Sequence, residues 1–325
     1  MKSLVTTFLF IALFFTSYFE SSIAQSLDLP VKGYGLSIGN SKKFSGLRLN
    51  FRDKNVEKIN GVNITFWKAS ENKEAIVNGL SFGVMPGAGY LRGLQAGIVG
   101  VASESNITGI SLGILGVGAG NKISGIAIGG LGVGSGNKLS GITIGGLAVG
   151  SGENMIGLSI GGLAAGAGND VRGVSLALLA AGAGNSISGI TIAGLGVGAG
   201  KNMTGLNIAG LGAGCGNELK GITIAGLGAG APTVKGLTIA GLAAGGVNVT
   251  GATLSGVWMK IESEGSLTGF SASAFNQIKG RLSGVSLGIL NYSRHLNGIQ
   301  IGLINYVRNN PRFLKVLPVI NAHFD

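Results

Sequence analysis

The sequence predicts an all-β fold: a β-solenoid built from a 16-residue repeat, with degenerate capping repeats at both ends. From Gly93 to Gly221 the chain repeats every 16 residues without insertion or deletion. A fixed period this short is typical of one small unit stacked on copies of itself. Apolar and small residues alternate within each unit, as in a strand with one buried face. Glycine and asparagine recur where such strands must turn.

Each unit reads approximately G-I-T-I-G-G-L-x-V-G-A-G-N-x-I-S, and we number its positions 1 to 16 from the first glycine. Aliphatic positions 2 and 4 flank a small residue at position 3, which is mostly Ser or Thr, and position 7 is leucine. The step from position 4 to position 7 is odd, so the chain must bend between them. Glycines at positions 5 and 6 allow that bend. A second bend is predicted at positions 12–14, and the apolar residue at position 15 is expected to lie buried under that corner. The clearest copies begin at Gly109, Gly125, Gly141, Gly157, Gly173, Gly189 and Gly205.

The alternation also leads to an interpretation of which face is buried. Positions 2, 4, 7 and 9 are expected to share the buried face, with position 7 as a column of buried leucines. The Ser and Thr residues of position 3 are then expected to face water. On this interpretation Leu147→Asp or Leu179→Asp destabilises the fold severely, because an unpaired buried charge has no partner. Thr143→Asp is tolerated much better.

One other arrangement fits the pattern: a hairpin meander, with a tight turn at the glycine pair, can close into a β-barrel. An antiparallel barrel with one long strand per unit would give a 32-residue alternation in loop character, and none is visible. The solenoid is favoured because like-on-like stacking explains the unbroken columns of Leu, Gly and Asn. An outer-membrane barrel normally has aromatic girdles and strands of about 9–11 residues. Between Gly109 and Lys235 there is no Phe, Tyr or Trp, and the candidate strands are shorter.

The chain divides into four segments. Lys2, the apolar run from Leu4 to Phe15 and the small residues Ser22 and Ala24 predict a secretory signal peptide over residues 1–24. Residues 25–92 are predicted as an N-terminal cap of degenerate repeats, residues 93–268 as regular repeats, and residues 269–325 as a C-terminal cap. The single cysteine permits no intramolecular disulfide, so packing alone must stabilise the fold.

The formal charge of +11 is concentrated at the two ends, and the repeats between them are nearly neutral. Solubilising charge at the two ends of an apolar stack is the favoured interpretation. Contact with anionic envelope components such as lipid, lipopolysaccharide or acidic polysaccharide is the alternative. Nucleic acid is not expected, because the repeats lack aromatic residues for base stacking. The basic residues are Lys32, Lys42, Lys43, Arg48, Arg52, Lys54 and Lys58 near the N-terminus, and Lys279, Arg281, Arg294, Arg308, Arg312 and Lys315 near the C-terminus.

The sequence predicts no catalytic, cofactor-binding or metal-ligating residues. Chance G-x-G-x-x-G fragments lack the strand–helix context of a dinucleotide site. His295 and His323 have no cysteine near them in the sequence, although a zinc site needs about four ligands. Cys215 occupies position 11, where other copies have Ala or Ser, so it is interpreted as a small packed side chain. Acidic residues in the repeats occur singly.

The repeats resemble those of a family of uncharacterised, glycine-rich surface repeat-containing proteins of Gram-negative bacteria. The ending Asn297-Gly-Ile-Gln-Ile-Gly-Leu-Ile-Asn-Tyr-Val-Arg-Asn-Asn-Pro, the later Val316-Leu-Pro-Val-Ile-Asn and the opening Phe44-Ser-Gly-Leu-Arg-Leu-Asn-Phe-Arg-Asp are similar to theirs. The resemblance implies an exported protein of the periplasm, outer membrane or cell surface. We therefore expect a non-catalytic repeat protein with a structural or interaction role. An outer-membrane barrel and an ice- or glycan-binding flat solenoid face are the alternatives.

Overall fold

The computed structural model describes residues 26–31 and 34–324, and the predicted signal peptide lies outside these residues. The chain forms a β-solenoid of about 16 turns. Neighbouring turns pair as parallel strands one repeat apart: Gly141 lies opposite Gly125 on one side and Gly157 on the other. A hairpin meander would pair consecutive strands antiparallel, so the predicted solenoid is confirmed and the meander and barrel are wrong.

Each regular coil contains a long strand of eight residues, positions 14 to 5 of the next unit, and a short strand at positions 8–11. The two corners lie at positions 6–7 and 12–13, close to the predicted bends. The long strands are β9 (Lys122–Gly129), β11 (Lys138–Gly145), β13 (Asn154–Gly161), β15 (Asp170–Ala177), β17 (Ser186–Ala193), β19 (Asn202–Ala209), β21 (Glu218–Ala225) and β23 (Thr233–Ala240). The short strands are β8 (Gly116–Ala119), β10 (Gly132–Ser135), β12 (Ala148–Ser151), β14 (Ala164–Ala167), β16 (Ala180–Ala183), β18 (Gly196–Ala199), β20 (Gly212–Cys215) and β22 (Gly228–Gly230).

The terminal coils continue the same stack and end in antiparallel strands. The first strand pairs antiparallel with the second, and the last pairs antiparallel with the strand before it. The last strand carries Pro318, which has no backbone N–H to offer a further strand. The terminal strands are β1 (Ser26–Val31), β2 (Tyr34–Gly39), β3 (Lys43–Asn50), β4 (Lys58–Thr65), β5 (Ile76–Gly83), β6 (Gly87–Gly97) and β7 (Gly100–Gly113), then β24 (Ala243–Ser255), β25 (Trp258–Ala272), β26 (Phe275–Leu287), β27 (Leu290–Val307) and β28 (Val316–His323), with a 3₁₀ turn at Arg312–Leu314.

The glycine at position 1 has a conformation that other residues rarely adopt. Seventeen stacked glycines, from Gly46 to Gly298, have φ between 109° and 146°. A Cβ on Gly141 would lie 2.1 Å from the carbonyl oxygen of Gly125 in the neighbouring coil. Both the backbone angle and the close stacking therefore require glycine, and this explains why the column has no exception over the regular repeats.

The predicted assignment of inner and outer faces is wrong. Thr143 at position 3 is 1% exposed, whereas Ile142 at position 2 is 39% exposed and Leu147 at position 7 is 47% exposed. The same holds along the stack: position 3 is buried in every regular coil, together with positions 9 and 15, and the leucines of position 7 point outward. Position 15 is buried under the corner, as the pattern predicts.

The width of the coil explains the inversion. A Cβ on Gly145, at position 5, would lie 2.1 Å from the carbonyl oxygen of Ala148 in the facing short strand. The two backbone walls therefore nearly touch at this corner. Between Ser111 and Ser255 the inner side of positions 3 and 5 holds only short side chains, and the bulky residues of positions 2 and 4 point outward. The core is formed by aliphatic side chains at position 15 with Val and Ala at position 9.

Candidate functional surface

The most distinctive surface of the molecule is an apolar band that runs along the regular coils. Outward side chains at positions 2, 4, 6, 7, 8 and 10 carry no charge anywhere between Gly93 and Val257. Ten coils at about 4.8 Å spacing, with about 25 Å of chain from position 2 to position 10, give this band roughly 1,200 Å². The largest apolar patch on a typical monomer is about 300–600 Å². A surface of this size needs a partner or an apolar environment.

The corner at positions 6 and 7 is the edge of this band, and we call its outward side chains the corner ridge. Backbone bonds between coils fix the corner: the N–H of Leu147 donates to the carbonyl oxygen of Leu131 at 2.7 Å, and that of Leu163 to Leu147 at 2.6 Å. The backbone is thus satisfied and the side chains project. Nine leucines of the ridge are 42–49% exposed: Leu115, Leu131, Leu147, Leu163, Leu179, Leu195, Leu211, Leu227 and Leu242.

Aromatic side chains extend the ridge at both ends. Phe51 and Phe66 occupy position 6 in the N-terminal coils, and Trp67 follows at position 7. At the other end Trp258 and Phe275 begin the short strands of their coils, one residue beyond the corner. All five are exposed. In the sequence these aromatic residues stand outside the regular repeats, and only the stacking of the coils places them on one corner with the leucines.

Beside the ridge, the outer face of the short strands carries almost no side chain. Positions 8 and 10 are glycine or alanine in the regular coils. A Cβ on Gly118 would meet nothing within 4 Å, and one on Gly134 would lie 3.8 Å from the nearest atom. These glycines have ordinary φ values. At these two positions the packing of the chain does not require glycine, whereas a Cβ on Gly100, Gly230 or Gly245 would lie 2.6, 2.8 or 2.3 Å from a carbonyl oxygen of the next coil. The result is a smooth strip above which the leucines stand out.

The opposite corner, at positions 12–14, is polar. Asparagines stack along it and bond from coil to coil: Asn121 Nδ2 donates to Asn106 Oδ1 at 2.9 Å and Asn137 Nδ2 donates to Asn121 Oδ1 at 2.8 Å. Asp170 continues this edge, where Asn185 Nδ2 donates to its carboxylate at 2.9 Å. That hydrogen bond, assisted by the nearby Arg172, lowers the pKa of the Asp170 carboxyl. In cross-section the coil is therefore amphipathic, with one apolar and one polar corner.

The N-terminal end of the interior is closed by a buried ion pair that the sequence analysis missed. Arg48, at position 3, is fully buried and pairs with Asp53. The guanidinium also donates to Asn63 Oδ1 at 2.7 Å and to Asn40 Oδ1 at 2.8 Å. Thr65 Oγ1 donates to the Asp53 carboxylate at 2.8 Å. Arg48 was counted among the basic residues that could meet an anionic partner; because its charge is fully paired and enclosed, it does not serve that purpose.

The C-terminal end is closed by an asparagine ladder. Asn276 Nδ2 donates to Asn291 Oδ1 at 2.8 Å, and Asn291 Nδ2 donates to Asn305 Oδ1 at 2.7 Å, with all three side chains buried. Tyr292 and Tyr306 stack beside it with ring centroids 5.3 Å apart. The recurring Ile-Leu-Asn-Tyr and Leu-Ile-Asn-Tyr at 289–292 and 303–306 was the sequence signal for this ladder. The end coils thus replace apolar core by buried polar networks, in which Arg48 Nε and Asn276 Oδ1 are left without a hydrogen-bond partner.

The potentially reactive side chains lie apart from one another. Cys215 is half-buried at position 11, and burial raises the pKa of its thiol. His323 bonds through Nδ1 to Asn310 Oδ1 at 2.6 Å, and His295 lies on β27 opposite Arg281. Over the part of the chain that the structure describes, no three side chains of His, Cys, Asp and Glu group as a metal ion would need. That the protein has no catalytic or metal site stays a prediction.

The position-3 column, which was expected to present Ser and Thr to a partner, is enclosed. Thr143 Oγ1 donates to Ser159 Oγ at 3.0 Å inside the coil, and the hydroxyl of Thr191 is buried without a protein partner. A glycan or an ice surface would have to meet these hydroxyls from outside. The flat Ser and Thr face on which that alternative depended is therefore absent from the outer surface of the described coils.

Comparison with known proteins adds no family. No protein family, curated protein or solved structure matches the chain. No helix within residues 26–31 and 34–324 is long and apolar enough to cross a membrane.

Proposed function

We propose that this chain is a non-catalytic, exported repeat protein of the bacterial envelope, located in the periplasm, at the outer membrane or on the cell surface, with a structural or interaction role. The observation that carries the proposal is the charge-free apolar band on the outside of the regular coils. A band of roughly 1,200 Å² exceeds the roughly 800 Å² per partner of a standard protein interface. Soluble monomers rarely expose an apolar surface of this size to water.

A rod-like scaffold suits an interaction role. Each regular coil bonds to both neighbours along two strands, as β11 does with β9 and β13 and β10 does with β8 and β12. The columns therefore stay aligned over the length of the stack, about 75 Å for 16 turns at 4.8 Å each. A continuous, aligned surface of this kind is suited to extended contact.

The basic ends support contact with an anionic component of the envelope. Several of their charges are only partly compensated at the surface. Lys43 pairs with Glu57 at 2.7 Å and Lys54 with Glu71 at 3.5 Å, both exposed pairs that are worth little. The net charge of +11 remains after these pairings, because each pair is already included in the formal sum. We expect the net positive charge to attract the solenoid to an anionic surface, and we expect salt to weaken this attraction.

Fractionation of cells that express the full-length gene tests the proposal. We expect the protein in the envelope fraction, with a mature N-terminus at Gln25 in mass spectra. High salt should weaken the association, and detergent should release the protein fully. Recovery of the unprocessed chain from the cytoplasm, or a processed chain that never sediments with envelope, would contradict the proposed location. A reproducible turnover of any substrate class would contradict the non-catalytic role.

A further inference from the structure

We propose that the corner ridge is a lipid-insertion edge, along which the solenoid lies in the plane of a membrane surface. The leucines of positions 6 and 7 then enter the acyl region, and the smooth strip beside them rests at the boundary. The inference deepens the proposed envelope role by naming its partner as an anionic lipid surface. It depends on that role only for the compartment, since the ridge can be tested in vitro.

The shape of the ridge favours lipid over protein. The ridge is the outside of a corner, so it is convex, and the strip beside it has no side chains beyond Cβ. A rigid partner would touch such an edge along a narrow line, whereas lipid chains can surround it. Each leucine has nearly half of its side chain left to remove from water, for example 47% at Leu147. Transfer of that area into an acyl environment is favourable in proportion to the area.

The distribution of residue types along the ridge matches an interfacial element. Its middle is aliphatic, and its tryptophans stand only at the ends, where Trp67 precedes Lys68 and Trp258 lies two residues before Lys260. Twelve coil-to-coil steps separate the two tryptophans, about 60 Å. Elements that lie in a membrane surface combine Trp, Phe and Leu on the apolar side with Lys and Arg near the headgroups. Lys68 and Lys260 stand at these two ends, Lys260 in an exposed pair with Glu262 at 2.9 Å that is worth little.

The opposite corner supplies the polar half of the amphipathic cross-section. Asn121, Asn137 and Asp170 lie on that edge with their coil-to-coil hydrogen bonds. A solenoid lying on its apolar corner therefore keeps its charged and hydrogen-bonded corner in water. The solenoid thus has an apolar side and a polar side, as an amphipathic helix on a membrane surface does, but it is built from stacked strands.

Insertion into the membrane can be measured directly by the tryptophan fluorescence of the protein. Trp67 and Trp258 are the only tryptophans, and the predicted signal peptide contains none. The protein from the full-length gene is mixed with phosphatidylcholine vesicles that contain phosphatidylglycerol, with and without lipids brominated on the acyl chains. We expect a blue shift and bromine quenching that persist at about 0.5 M NaCl, where exposed charge attraction is largely screened. Trp258→Phe then reports Trp67 alone.

A ridge variant and a matched control locate the contact. Leu147→Ser with Leu163→Ser removes two exposed leucines, and we expect the partition coefficient to fall roughly tenfold from the area lost. Ile156→Ser also removes an exposed aliphatic side chain, but at position 16, away from the ridge, where most copies are polar. We expect it to bind as the native protein does. Unchanged circular dichroism shows that both variants fold.

Two outcomes would overturn the proposal, and they separate it from the envelope role. If the tryptophans stay unquenched and light scattering shows a dimer that the ridge variant converts to monomer, the ridge is an interface with a second copy. If the protein binds vesicles but salt releases it and the ridge variant binds normally, the contact is purely electrostatic. In both cases envelope fractionation can still succeed, so failure of the ridge and failure of the proposed role are distinguishable.

Discussion

The fold is tested most sharply by two variants that place a carboxylate on the inner face and on the outer face of the same coil. Thr143 is 1% exposed and donates to Ser159 Oγ at 3.0 Å, while Ala127 occupies its other neighbouring coil. In Thr143→Asp no cation is available in the position-3 column of the regular coils to pair with the carboxylate. Full burial raises a carboxyl pKa by up to about 3–5 units, and at pH 7 the resulting loss is limited to about 4 kcal/mol, because the buried carboxyl then takes up a proton instead of staying charged. We expect Thr143→Asp to lose stability on that scale.

Leu147→Asp is the comparison on the other side of the coil. The side chain is 47% exposed, so an aspartate there keeps its hydration and the variant loses only the packing of the buried half. Half of the burial free energy of a leucine is about 1 kcal/mol. The expected order of the two variants is thus the reverse of the one that the sequence alone predicts.

The measurement is urea unfolding of both variants, followed by circular dichroism and by hydrogen exchange of β11 and β13. Because repeat proteins can unfold in parts, hydrogen exchange is needed to measure the stability of the substituted coil separately from that of the whole stack. The folded pKa of the new aspartate is expected to be raised, so its penalty is full above that pKa and disappears below the unfolded value of about 3.9. Thr143→Ser serves as control. If Leu147→Asp is the more damaging change, or Thr143→Asp unfolds like the native protein at pH 7, the assignment of faces is incorrect.

Three further outcomes follow from single positions, all measured by urea unfolding. Gly141→Ala should cost about 2 kcal/mol or more, because φ is 109° and the Cβ would meet a carbonyl oxygen at 2.1 Å; Gly134→Ala, with its nearest atom at 3.8 Å, should be nearly neutral, and equal losses would contradict this account. Thr191→Val should stabilise the fold by about 1 kcal/mol, since it deletes a buried hydroxyl without a protein partner; a clear loss would mean that the hydroxyl is satisfied. Asp170→Asn should weaken the dependence of the free energy of unfolding on pH at acidic pH. The hydrogen bond from Asn185 is the first cause of the lowered pKa of the Asp170 carboxyl in the folded protein. This carboxylate therefore adds stability above the ordinary pKa of 3.8, and that stability is lost as the pH falls through the folded pKa. Identical pH profiles of native protein and variant between pH 7 and pH 3 would refute that linkage.

Much of the candidate surface was visible in the sequence without being recognised as a surface. The repeat shows a leucine column at position 7 and no aromatic residue between Gly109 and Lys235. The alternation pattern places these leucines in the core, so it does not predict an exposed ridge. Trp67 and Trp258 lie in coils with irregular repeat lengths, and only the stacking places both beside the leucines on one corner.

The closures at the two ends were not predictable from the repeat. Arg48 occupies position 3, where regular coils have small residues, and its partner Asp53 lies in an irregular segment of the chain. A pairing between two such residues depends on how that segment folds back over the open end. Unpaired burial of either charge would be very unfavourable, yet nothing in their spacing indicates the contact.

The sequence by itself determined the period, the parallel in-register stacking, the glycine corners and the buried position 15. Those features follow from local rules: a column of identical residues needs like-on-like stacking, and glycine and asparagine recur where a strand must turn. Only the tertiary structure decided which face is inside. The alternation shows that the side chains of positions 2 and 4 point to the face opposite that of position 3. It does not show which of the two faces is buried. The separation of the two backbone walls settles the matter, because an interior in which Gly145 nearly touches Ala148 accepts threonine and excludes isoleucine.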